Sequence, residues 1–157
     1  MMSSFVLRVT TKAQFLIVAA IGVSLATDNS LDPASNKDLD GLQGTWKLVS
    51  AMRDGEALPK DKVKKTTIVI KDDTFVFPDL AEYATSKEGT IKLDARKNPK
   101  QMDATSTEKE VMLGIYELDE DHYKVCFAPT GKPRPSELAS KPGSGNLLQV
   151  WKRKNEQ

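Results

Sequence analysis

The residues of this chain that could grip or transform a ligand are few, and one segment holds the densest set. Between positions 128 and 145 the prolines Pro129, Pro133, Pro135 and Pro142 and the glycines Gly131, Gly143 and Gly145 make a backbone stiff in places and permissive in others, with Lys132, Arg134 and Lys141 spaced along it. Lys132 and Arg134 are a candidate pair for an anionic group, the arginine presenting a planar fork to it. The alternative is that Arg134 is satisfied locally by a carbonyl or a carboxylate such as Glu137. A thiol nucleophile needs a base beside it. Cys126 and the single histidine, His122, are four residues apart, about 13 Å along an extended strand, so they do not make a Cys-His pair. Cys126 reads instead as a small inert residue, turned away from the apolar set of its strand. The run Asp119-Glu120-Asp121-His122 and the pair Asp72-Asp73 read as turn carboxylates, because a lone acidic turn offers a cation too few converging ligands. No triad, metal-ligand spacing or phosphate-binding glycine loop stands out, so neither an enzyme nor a bound cofactor is expected.

The elements that must position these residues are short strands. Apolar residues recur with period two in runs separated by turn residues, the pattern of half-buried antiparallel sheet. Along 45–53, Trp46, Leu48 and Met52 share one face while Lys47 and Arg53 take the other. Ile68 and Ile70 alternate with Thr67, Val69 and Lys71, and Asp72-Asp73 reverses the chain into a run where Phe75 and Phe77 share a face. Ile91 with Leu93, Met102 with Ala104, the runs 112–118 and 123–128, and a final run 147–153 complete eight strands. Pro59 marks a helical start before a lysine-rich stretch, and a second helical turn is predicted at 80–84. Eight antiparallel strands with compact reversals predict an all-β fold, an eight-stranded antiparallel up-and-down barrel, with a sandwich as the competing architecture. Trp46, Phe75, Phe77, Tyr116, Tyr123 and Phe127 are expected to face inward. At this size they would fill or nearly fill the interior, or line a small apolar pocket.

Positions 1–26 follow signal-peptide grammar. Arg8 and Lys12 precede an uncharged run at 15–26, whose 12 residues fall short of the roughly 20 that span a bilayer, and Ser24-Leu25-Ala26 supplies a cleavage site. The expectation is export, periplasmic or secreted, with no membrane span after cleavage; an uncleaved anchor is the alternative. Removing positions 1–26 takes away two of 23 basic residues and none of 22 acidic ones, so the formal net charge moves from +1 to −1. A near-neutral balance gives no electrostatic case for nucleic acid. The polar stretch 27–37 is predicted as a disordered leader, and 38–157 as one folded domain. One cysteine cannot make an internal disulfide, so that domain depends on packing.

Two ends of the chain resemble lipocalin-like (calycin-like) domains: Gly44-Thr45-Trp46 in the first strand and Lys152-Arg153 in the last. The resemblance implies that Trp46 packs across a barrel floor with Arg153 over its ring. Three further blocks resemble a planctomycete-type family of exported bacterial lipocalin-like domains of unestablished function: Leu42-Gln43-Gly44-Thr45-Trp46, Gly114-Ile115-Tyr116-Glu117-Leu118, and the segment opening with Cys126-Phe127-Ala128-Pro129 and ending with Lys141-Pro142-Gly143-Ser144-Gly145. That resemblance implies a barrel and export, and supplies no catalytic residue. The functional expectation is a non-enzymatic module binding a small apolar or amphipathic ligand at the barrel mouth, with the 128–145 loop as lid. Lys132, Arg134, Tyr116, Tyr123, Phe75 and Phe77 are its candidate ligand residues, and Gly44, Trp46 and Arg153 its structural floor. An interaction module with a filled core, docking a protein or envelope polymer, is the alternative, and an enzyme the third reading.

Overall fold

Residues 32–79 and 86–155 are described by the computed structural model. The predicted signal peptide, positions 27–31 of the leader and the predicted turn at 80–84 lie outside the described residues. The period-two runs become strands β1 (Gly44–Arg53), β3 (Thr67–Lys71), β4 (Thr74–Val76), β5 (Glu88–Asp94), β6 (Lys100–Ser106), β7 (Val111–Leu118), β8 (His122–Phe127) and β9 (Leu147–Arg153), with a two-residue strand β2 (Glu56–Ala57) after the first. Each is antiparallel to the next, and β1 pairs with β9 from Trp46↔Arg153 to Arg53↔Leu147, which closes the sheet. The result is the expected eight-stranded up-and-down barrel. The extra strand β2 lies along the far half of β1, pairing Met52↔Ala57, beyond the stretch where β1 pairs with β3. The helix α2 (Lys60–Lys65) follows Pro59 as read from sequence, and it buries Val63.

Within β1 the ladder slips between Leu48 and Ser50, leaving Val49 as an extra residue, 53 % exposed. Such a bulge reverses the parity of everything after it. Trp46 and Leu48 point inward as predicted, but beyond Val49 it is Ala51 that is buried and Arg53 that faces the interior, while Met52 is only partly buried. The predicted facing of Met52 and Arg53 is therefore corrected.

The leader also needs correction. Pro33–Leu42 form a helix, α1, so Pro33–Lys37 are ordered rather than part of a disordered tether. Asp32 caps it, accepting from the Ala34 and Ser35 amides, with Pro33 in the first turn where its missing N–H costs nothing. The helix lies across the end of the barrel against β5 and β7. Ser35, fully buried, donates to Asp32 and accepts from the Ala95 amide at 2.9 Å. Ser35→Ala is expected to cost about 1–2 kcal/mol, because it strands the Ala95 N–H in a partly buried site. Denaturant unfolding reads the loss, and hydrogen exchange at Ala95 should accelerate; unchanged protection there would mean that α1 is not docked through this contact.

Candidate functional site

Alternation places one set of side chains inside the barrel, and they do two different jobs. At the end where β1 begins and β9 finishes, the interior is sealed. The Trp46 indole N–H donates to the Leu42 carbonyl at 2.8 Å, and the Tyr123 ring meets it edge-on at 4.9 Å. Arg153 lies over its ring, with the guanidinium carbon 4.1 Å from the ring centroid. The same guanidinium donates to the carbonyls of Gly41, Gln43 and Glu120. Gly44 has φ of 110°, a conformation that side chains avoid, and a Cβ there would sit 3.6 Å from the Arg153 guanidinium. The three residues assigned to the floor from sequence are together at it.

Tyr116 belongs to this sealed end and not to a ligand site. Its hydroxyl donates to Asp38 of α1 at 2.7 Å, and the Lys100 ammonium reaches the same carboxylate oxygen at 2.7 Å. Burial first, and the Asp38 carboxylate second, push the phenol well above its ordinary range, so it stays a donor. Tyr116 thus fastens α1 over the barrel end.

Toward the other end the interior is open. A cavity of about 90 Å³ is walled by inward positions of the strands, among them Ile68, Phe75, Phe77, Tyr123, Val125 and Phe127. Three predicted ligand residues, Phe75, Phe77 and Tyr123, are therefore in its wall. Room for it is shaped partly by Gly114, where a Cβ would come within 2.6 Å of the Phe127 ring; the glycine lets that ring lie against the wall. The polar groups here are ones that sequence reasoning did not single out. Arg53, Ser86, Ser106 and Glu110 border the mouth, and Gln149 stands inside. Arg53 reaches the mouth only because of the bulge at Val49. Gln149 was legible in principle, since it alternates with Leu147 and Trp151 on one face of the last strand.

Lys132 and Arg134 are not in this cavity, and none of the residues from 128 to 146 lines it. The loop neither covers the mouth as a lid nor plugs it; it folds back along the outer wall. Arg134 bonds to Asp103 on the outer face of β6 and donates to the Gly114 carbonyl at 2.6 Å. Glu137, its expected partner, pairs with Lys141 instead. The Cys126 thiol donates to the Ala139 carbonyl at 3.3 Å, and Cys126 with its cross-strand neighbour Ile115 is buried although both face outward. Burial pushes the thiol up, which agrees with an inert cysteine, one that the loop helps to cover completely. Ser140 accepts from the Gly55 amide and Asp54 from the Gly145 amide, tying the far end of the loop to the turn after β1. A separate surface hollow of about 400 Å³ includes Lys132, Arg134 and Lys141, but Arg134 is engaged by its wall contacts. Arg134→Ala is expected to lower stability by about 1–2 kcal/mol, since it removes a charged donor from a partly buried carboxylate and a carbonyl. Cleavage after Glu137 by a glutamate-specific protease should quicken, and unaltered cleavage would show that the loop is held elsewhere.

The acidic turn serves its own hairpin: Asp119 accepts from the Asp121 and His122 amides. Among the described residues, no cluster of three His, Cys, Asp or Glu side chains is placed to hold a metal ion, and no helix is long and apolar enough to cross a membrane.

Fold and cavity together define a closed eight-stranded antiparallel β-barrel, sealed at one end and open at the other. Compared with family models, curated proteins and solved structures, the chain finds no match in any of the three.

Proposed function

We propose that this protein is an exported binding module of the lipocalin-like kind, related to the planctomycete-type family that its sequence blocks resemble, and that its barrel holds a small apolar or amphipathic ligand. The observation carrying this reading is the apolar cavity that opens between Arg53, Ser86, Ser106 and Glu110 and ends against Tyr123 and the floor. An aromatic and aliphatic wall binds by removing apolar surface from water, at roughly 25 cal/mol per Å². Such a wall supports the reading of a binder rather than a catalyst. The ligand enters at the mouth, and an anionic group on it would meet Arg53, not Lys132 or Arg134.

A second reading is favoured by one number. The cavity of about 90 Å³ is below the roughly 300–1,000 Å³ of ordinary ligand pockets, as expected if the barrel is a nearly filled scaffold whose rim docks a protein or envelope polymer. Native mass spectrometry of the protein purified from the compartment it is exported to separates the two. A co-purifying small molecule, released on denaturation, is expected; apo mass accompanied by a stoichiometric protein partner would replace the first reading with the second.

A further inference from the structure

Inside the apolar cavity stands a polar side chain that nothing else in the fold uses. Gln149 is 6 % exposed and lines the cavity, yet among the described residues its amide takes part in no hydrogen bond. An amide brings a carbonyl acceptor and two N–H donors, and burying them unpaired is costly. A leucine or valine would have filled the same inward position between Leu147 and Trp151 without that cost. One inward position nearer the floor, the indole N–H of Trp151, a fully buried residue, is likewise without a partner. Trp151 stacks on Tyr123 at 5.8 Å and lies 6.3 Å from Phe77, both residues of the cavity wall. The inner face of β9 thus carries two unspent polar groups, the Gln149 amide in the cavity wall and the Trp151 indole N–H packed against the wall residues Tyr123 and Phe77.

We infer that Gln149 is the specificity-determining residue of the cavity, and that the cavity takes a small, flat, neutral molecule whose hydroxyl or carbonyl enters first and bonds to the Gln149 amide. This rests on the ligand-binding reading above and narrows it. Neutrality follows from the charges: Arg53 and Glu110 stand at the mouth, and none of the other lining residues is ionised at neutral pH, so a carboxylate or ammonium driven to the depth of Gln149 would be desolvated without a counter-charge. Size follows from the volume, well below the roughly 150 Å³ of an apolar protein cavity that holds benzene, so a ring fits only with its outer edge in the open mouth. A single ring with one polar substituent suits both limits.

The test uses phenol and toluene, rings of equal size that differ in a hydroxyl against a methyl, titrated into the full chain and into Gln149→Leu while amide chemical shifts are followed. Phenol is harder to draw out of water, so a purely apolar cavity must prefer toluene. The expected result is that the native protein binds phenol at least as tightly as toluene, and that Gln149→Leu shifts the ratio of the two dissociation constants by about tenfold or more toward toluene. The melting temperature of the variant should hold or rise, because the substitution removes an unpaired buried amide; Gln149→Met serves as a second apolar variant if leucine fails to fold. An equal ratio in native protein and variant overturns the inference while leaving a cavity that binds. If neither probe binds the native protein, the ligand-binding reading falls and the inference goes with it.

Discussion

Trp46→Ala is expected to lower the unfolding free energy by about 3–5 kcal/mol, the range for truncating a large aromatic in a core. The indole is 0 % exposed and has its N–H on the Leu42 carbonyl, Tyr123 against it and Arg153 over its ring. Truncation therefore removes the plug of the barrel floor, leaves the Leu42 carbonyl without its indole donor, and takes the surface from beneath a guanidinium. Urea denaturation followed by far-ultraviolet circular dichroism measures it. A loss below about 1 kcal/mol would mean that the ring is not core, and the strand register built on it would be wrong.

Arg153→Met should cost about 2–4 kcal/mol. Methionine keeps much of the apolar stem, so the loss isolates the charged fork: bonds to three backbone carbonyls, each of a kind worth about 1.5–3 kcal/mol but not additive, and a cation–π contact of about 0.5–2 kcal/mol. The carbonyls of Gly41 and Gln43 belong to the end of α1 and the residue after it, so the variant should also loosen the helix, seen as faster amide exchange between 33 and 42. Arg153→Lys should recover only part of the loss, because an ammonium cannot span three acceptors. A Trp46/Arg153 double-mutant cycle with coupling near zero would assign the stability to the carbonyl bonds alone.

How far the chain could be read in advance depended on the range of the interactions. Ile68 with Ile70, Phe75 with Phe77, and Met102 with Ala104 share a face because strand geometry alternates residue by residue, and that pattern is local. The Trp46–Arg153 contact was legible through resemblance. The helix α1 left a weaker trace: Asp32-Pro33 is a helix-start pair, but only Leu39 and Leu42 are large apolar residues within it, and what holds it are Asp38 to Tyr116 and Ser35 to Ala95, contacts 78 and 60 residues apart. The loop was recognised as unusual and given the wrong place, since nothing near Arg134 in sequence announces Asp103.

By itself, then, the amino-acid order determined an all-β chain of short antiparallel strands, because pleat alternation and turn chemistry act between near neighbours. Tertiary structure alone decided which polar groups meet the interior. One surplus residue at Val49 turns Arg53 into the mouth, barrel closure sets Gln149 among aromatic walls, and the fold-back of the 128–145 loop withdraws Lys132 and Arg134 to the outside. Each of these outcomes depends on register and closure between strands far apart in the chain, and a periodic pattern is the same whichever neighbours those strands finally take.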